Sequence, residues 1–84
     1  MSNKLLLNIG FGNAVVKGEV TAIIQPNSAP IKRFVKQKKE QGFLIDSTMG
    51  KKLRAVVVLK SGYIVLSAIT VTSLMTRLEG SESE

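Results

Sequence analysis

Eight of the twelve basic residues fall between Lys32 and Arg54: Lys32, Arg33, Lys36, Lys38, Lys39, Lys51, Lys52 and Arg54, interrupted only by Glu40 and Asp46. Clustered ammonium and guanidinium groups do one kind of chemistry well, which is to hold anionic oxygens, phosphates above all. The cluster has two parts. Ile31, Phe34 and Val35, at i, i+3, i+4 spacing, predict a helix and form its apolar stripe, and Lys32, Arg33, Lys36 and Lys39 fall on the opposite side. Taken alone, such a face is equally a solubilising surface, and Lys38 and Lys39 suit the negative end of a helix dipole. The second part, Gly50-Lys51-Lys52, is more pointed: adjacent lysines on a polar turn, beside a glycine that lets the backbone come close to a ligand. With one Tyr, three Phe and no Trp, stacking on single-stranded bases has little to work with, and contact with the backbone of duplex DNA fits better.

Other chemistries find few tools. There is no Cys and no His, so disulfides, thiolate metal sites, the usual general base and the usual zinc ligand are missing. Glu19, Glu40 and Asp46 are scattered, without the spacing of a paired-carboxylate or magnesium site, and no nucleophile–base pair can be assembled. The chain is therefore expected not to be an enzyme and to need no cofactor or metal. Gly10-Phe11-Gly12-Asn13 resembles a phosphate loop only superficially: the third glycine is missing and no helical pattern follows, so a tight turn is the better reading.

The elements that must position the basic residues are short. Lys4 to Ile9 predicts a buried strand ending at the Gly-Phe-Gly-Asn turn, and Ala14 to Ile24 a second strand bent near Lys17-Gly18, with Val20 to Ile24 its better half. Pro26-Asn27-Ser28 stops it. The helix that follows has Ser28 as N-cap, Pro30 in its first turn and Gly42 just past its end. Phe43 to Ile45 is a short apolar piece before the polar loop Asp46 to Lys52. Leu53 to Leu59 and Tyr63 to Ile69 then make a hairpin around Ser61-Gly62. A last helix, Val71 to Leu78, carries Val71, Leu74, Met75 and Leu78 as its apolar stripe and ends at Gly80.

The fold class expected is α+β, a small antiparallel or mixed sheet of four to five short strands with two helices. It forms a single domain over residues 1–79, with 80–84 a solvated acidic tail. Val56-Val57-Val58-Leu59 and Tyr63-Ile64-Val65-Leu66 do not alternate apolar with polar, as strands covered on both faces need not. Two short helices cover one face of such a sheet but hardly both, which makes self-association the economical cover for the rest. The overall net charge is +6, and the first 78 residues alone carry twelve basic groups against three acidic ones, a net +9, which suits a polyanionic partner. No apolar run approaches the roughly 20 residues that span a bilayer, and the first residues lack the features of a signal peptide. The expected location is the cytoplasm, on the nucleoid.

Four words in order, Asn8-Ile9-Gly10-Phe11-Gly12-Asn13, Ser28-Ala29-Pro30-Ile31-Lys32-Arg33, Gly42-Phe43-Leu44-Ile45-Asp46 and Arg54-Ala55-Val56-Val57-Val58, with Leu66-Ser67-Ala68 after them, resemble the RemA family of bacterial extracellular matrix regulatory proteins. The resemblance runs over residues 4 to 78. It implies a small DNA-binding transcriptional regulator that activates biofilm matrix genes and assembles as closed rings of about seven or eight subunits with DNA engaged around the ring. A family pair of arginines reads here as Lys51 and Lys52, the neighbouring arginine is kept as Arg54, and a further basic position aligns with Glu19, two residues from Lys17. Lysine keeps the charge but loses the planar fork that grips phosphate bidentately, and glutamate repels phosphate.

The expected site is therefore Lys51 and Lys52 as principal phosphate ligands on double-stranded DNA, supported by Arg54, Lys32 and Arg33, with Lys17 and Lys36 completing the set. No small-molecule substrate and no membrane partner is expected. Two rivals remain at this stage: a non-catalytic assembly module that binds protein or anionic lipid, and an RNA-binding module, which would need stacking aromatics.

Overall fold

β5 (Ala55–Leu59) and β6 (Ile64–Ser67) are central in the computed structural model, which describes residues 5–80; Lys4 and the tail at 81–84 lie outside the described residues. They pair antiparallel with Val57 opposite Val65 and Ala55 opposite Ser67. A turn joins them in which the Gly62 N–H donates to the Leu59 carbonyl at 3.0 Å. β3 (Val20–Ile24) lies antiparallel beside β5, and β4 (Leu44–Asp46) parallel beside β6, so the mixed sheet runs β3-β5-β6-β4. β1 (Leu6–Gly10) and β2 (Asn13–Val16) form a separate antiparallel hairpin. α1 spans Ala29–Gln41 and α2 spans Val71–Leu78. The class is α+β, as the residue patterns require.

Successive side chains of a strand point to opposite faces, and here each face has its own core. On one side Ala55, Val57 and Val65 pack with Leu7 and Ile9 of the β1–β2 hairpin and Val71 and Leu74 of α2. On the other, Val56, Ile64 and Leu66 pack against Ile31, Phe34 and Val35 of α1, with Ile24, Leu44 and Leu53. Val56, Val57 and Ile64 are fully buried. The missing alternation thus has a cause within one chain. The expected cover by a second copy is therefore not needed for these strands: the β1–β2 hairpin, a separate sheet, lies with α2 on one face and α1 on the other.

Local signals set the boundaries. The bend near Lys17-Gly18 is a turn of 3-10 helix, Lys17–Glu19, that divides the expected long second strand into β2 and β3. Gly10-Phe11-Gly12-Asn13 is the β1–β2 turn, and Phe11 (φ 55°) shares the left-handed backbone with Gly12 (φ 79°), as a type I′ hairpin demands. Gly10 itself has φ 106°, and a Cβ there would sit 3.2 Å from a methyl carbon of Ile69, so only glycine fits. Ser28 caps α1, its hydroxyl oxygen accepting from Ile31 N–H at 3.3 Å. The helix ends with Gly42 in the left-handed region and the Phe43 N–H reaching back to the Lys38 carbonyl at 2.9 Å, a Schellman arrangement. In α2, Met75 is exposed and not part of the stripe, because the hairpin covers only the side that carries Val71 and Leu74.

Ser67 ties the layers together. Fully buried, its hydroxyl donates to the Ile9 carbonyl at 2.9 Å and accepts from the Ile69 N–H at 3.0 Å. Removing a hydroxyl that serves two buried backbone groups costs about 1–3 kcal/mol. Ser67→Ala is therefore expected to lose that amount in urea unfolding, while Ser61→Ala, on the exposed hairpin turn, stays within about 0.5 kcal/mol of the parent.

Candidate nucleic-acid interface

Strand register sorts the basic residues between the two ends of the sheet. Ile24 lies opposite Val56, Ala55 opposite Ser67 and Asp46 opposite Leu66, so the last residues of β3, β4 and β6 and the first of β5 share one end. From that end leave the segment leading to the start of α1 and the loop from Ser47 to Arg54. Val20 opposite Leu59 and Leu44 opposite Ile64 mark the other end, where Lys60 donates its N–H to the Glu19 carbonyl at 2.8 Å.

The first end gathers most of the expected site. Lys32, in the first turn of α1, and Lys52 line one open depression of about 320 Å³ together with Pro26, Asn27 and Leu53. Lys51 and Arg54 flank Lys52 in the same loop, and Lys32, Arg33, Lys36, Lys51, Lys52 and Arg54 are all exposed. Lys36 follows Lys32 by one helical turn and continues its face.

Lys17 stands apart from this group. It belongs to the opposite end, where its Nζ lies 4.0 Å from the Cβ position of Gly80, just beyond the carboxyl end of α2, a place where an ammonium group complements the helix dipole. Glu19 is at that end too, so within one chain its carboxylate does not confront an anion held by Lys51 and Lys52. Lys38 is turned to the same far end, its Nζ 5.5 Å from the ring centre of Phe43 and 5.8 Å from that of Phe34, while Phe43 stacks on Tyr63 at 5.0 Å.

The basic loop is fastened rather than loose. The Ser47 N–H and hydroxyl both donate to the Leu66 carbonyl, at 3.0 and 2.6 Å. Asp46 Oδ1 accepts from the Thr48 N–H at 2.9 Å and from its hydroxyl at 2.7 Å, a local turn of the kind aspartate favours. The Thr48 carbonyl then accepts from the Lys51 N–H at 2.9 Å, and the Arg54 N–H donates to the Ser67 carbonyl at 2.9 Å. Ser47 and Thr48 are buried, whereas residues 49–52 project, with Met49 (φ 54°) and Gly50 (φ 79°) turning the chain. The sequence reading missed Asp46, Ser47 and Thr48 as the scaffold of the lysines; the Asp-Ser-Thr run, an Asx-turn composition, was the available signal.

Among the described residues no three or more His, Cys, Asp or Glu side chains group so as to hold a metal ion. No helix of the described residues is long and apolar enough to cross a membrane.

Fold and site together define a small α+β domain with a basic loop and helix start at one end of its sheet. The family model for extracellular matrix regulatory protein A-like proteins matches residues 6–78, and the chain belongs to this RemA-like family. Similar proteins agree over nearly their whole lengths. One from Dictyoglomus turgidum is 54% identical over 79 residues, which is 94% of this chain and 93% of that protein. One from Synechococcus sp. strain JA-2-3B'a(2-13) is 50% identical over 72 residues, 86% and 81% of the two chains. One from Halothermothrix orenii is 46% identical over 77 residues, 92% of each. All three bear the name "Putative regulatory protein".

The Asp46 turn has a pH signature. The Thr48 N–H first, and then the Thr48 hydroxyl, hold the carboxyl below its ordinary value of 3.8; burial opposes them, and the Lys39 charge adds a smaller pull downward. A depressed carboxyl contributes stability that is complete above its unfolded pKa and is lost as pH falls through the folded one. The Thr48 amide resonance is thus expected to hold still from pH 8 to about pH 5 and to move only in the acid range below. Asp46→Ala should abolish that titration and speed amide exchange at Thr48 and Lys51, at a cost near 1 kcal/mol.

Proposed function

We propose that this protein is a non-catalytic DNA-binding transcriptional regulator, of the kind that activates extracellular matrix and biofilm genes, working in the cytoplasm on the nucleoid as a ring-shaped homo-oligomer. The observation that carries the reading is the convergence of Lys32 and Lys52 on one depression, with Lys51 and Arg54 beside them on a fastened loop. Lysines on a backbone-anchored loop at one end of the sheet suit phosphates, and no Trp and a single Tyr leave little for reading bases by stacking. Family membership and the regulatory names of the relatives support the same direction.

Self-association draws support from a surface other than the sheet. On the outer face of the β1–β2 hairpin Leu6 lies opposite Val16, 44% and 51% exposed, with Leu5 beside them at 76%. Assembly matters to the mechanism because each subunit neutralises only one or two phosphates, and linked copies act at high effective concentration. The working set within one subunit is Lys51, Lys52, Arg54, Lys32 and Arg33, with Lys36 at its margin. Lys17, at the other end of the sheet, drops out of it.

Fluorescence anisotropy with a duplex at several salt concentrations tests this. Log affinity should fall steeply with log salt, by ~0.9 for each phosphate neutralised. Lys51→Ala with Lys52→Ala should weaken binding by about tenfold or more and lower that slope by about 2 per engaged subunit, with the mass from light scattering unchanged. Lys38→Ala, at the far end, should change neither. A flat salt response, or full binding by the double variant, contradicts the assignment.

A further inference from the structure

Among the described residues only Phe11 and Met49 have positive φ without being glycine. For Phe11 the hairpin turn accounts for the conformation. Met49 with Gly50 (φ 79°) likewise forms the centre of a turn, closed by the Lys51 N–H on the Thr48 carbonyl at 2.9 Å, but glycine or asparagine would take φ 54° there with little or no strain, whereas methionine is strained by about 1 kcal/mol or more. Burial does not compensate, because Met49 is 69% exposed. The result is an unbranched apolar side chain standing on a fastened turn, with Gly50, Lys51 and Lys52 immediately after it.

Proteins that bend DNA through the minor groove combine these two features: cations for phosphates, and an apolar side chain that slips between adjacent base pairs and partly unstacks them. An exposed methionine two residues from the first of two adjacent lysines meets the geometric need, since a side chain that enters a base step has phosphates on either side within reach of a lysine. Resting on the DNA reading above, we propose that Met49 is an apolar wedge that enters a base step from the minor groove while Lys51 and Lys52 hold the flanking phosphates. The wedge gives the protein a preference that its lysines cannot supply. Pyrimidine–purine steps such as TA unstack most easily and A-tracts resist, so sites rich in TA steps are favoured without any base-edge hydrogen bond.

The test compares the parent protein with Met49→Asn, which suits the left-handed backbone and keeps the lysine turn, and with Met75→Ala, another exposed methionine remote from the loop. Two duplexes of equal length and charge are used, one rich in TA steps and one an A-tract, each carrying a donor and an acceptor dye at its ends. The parent should bind the TA-rich duplex several-fold more tightly and shorten its end-to-end distance. Met49→Asn should bind both duplexes alike, keep the parent's salt slope and shorten neither to the parent's extent, while Met75→Ala behaves as the parent. If Met49→Asn keeps the preference and the shortening, or if it changes the mass by light scattering so that Met49 is a subunit contact, the wedge is overturned while phosphate binding stands. If the parent binds neither duplex in dilute salt, the DNA reading falls and the wedge with it.

Discussion

Two consecutive carbonyls at the end of β6 hold both flanks of the loop that displays Lys51 and Lys52. The Leu66 carbonyl takes the Ser47 N–H and hydroxyl, and the Ser67 carbonyl takes the Arg54 N–H. These bonds continue the pairing of β6 with β4 on one side and β5 on the other, and lysines that would be costly to order one by one are carried on an anchored frame. The same Ser67 bonds the first strand through the Ile9 carbonyl. The sheet, the hairpin layer and the basic loop therefore meet at one short stretch of chain, and a disturbance there reaches all three.

Charge follows from this geometry. Twelve basic residues are not spread evenly: register sends Lys32, Lys51, Lys52 and Arg54 to one end of the sheet, and Lys17 and Lys60 to the other. At the far end the cations have local duties, Lys17 beside the carboxyl end of α2 and Lys38 over the Phe43 ring. At the near end they face open solvent. On the proposed reading, a few lysines of one chain would give only weak, salt-sensitive contact with a phosphate backbone, and repetition by symmetry would be the physical route to useful affinity.

Much of this was legible in the residues. Ser28, Pro30 and Gly42 mark α1, and Leu59 to Tyr63 the hairpin, because caps and turns act over a few residues and leave local signatures. The unalternating runs in β5 and β6 spoke truly of two covered faces. They could not say that the cover was a β1–β2 layer of the same chain, since pairing partners are set by long-range register. For the same reason no local signal says that Lys17 lies at the other end of the sheet from Lys51 and Lys52. Met49 escaped notice because its left-handed backbone and its exposure are properties of the folded loop.

Amide hydrogen exchange with and without a duplex, read residue by residue, examines the central claim most directly. Bound DNA is expected to slow exchange across residues 47–54 and the first turn of α1, and to leave Lys17–Glu19 and the Lys60 turn unchanged beyond any effect of assembly seen without DNA. Slowing confined to the Lys17 and Lys60 end, with the lysine loop unaffected, would contradict it.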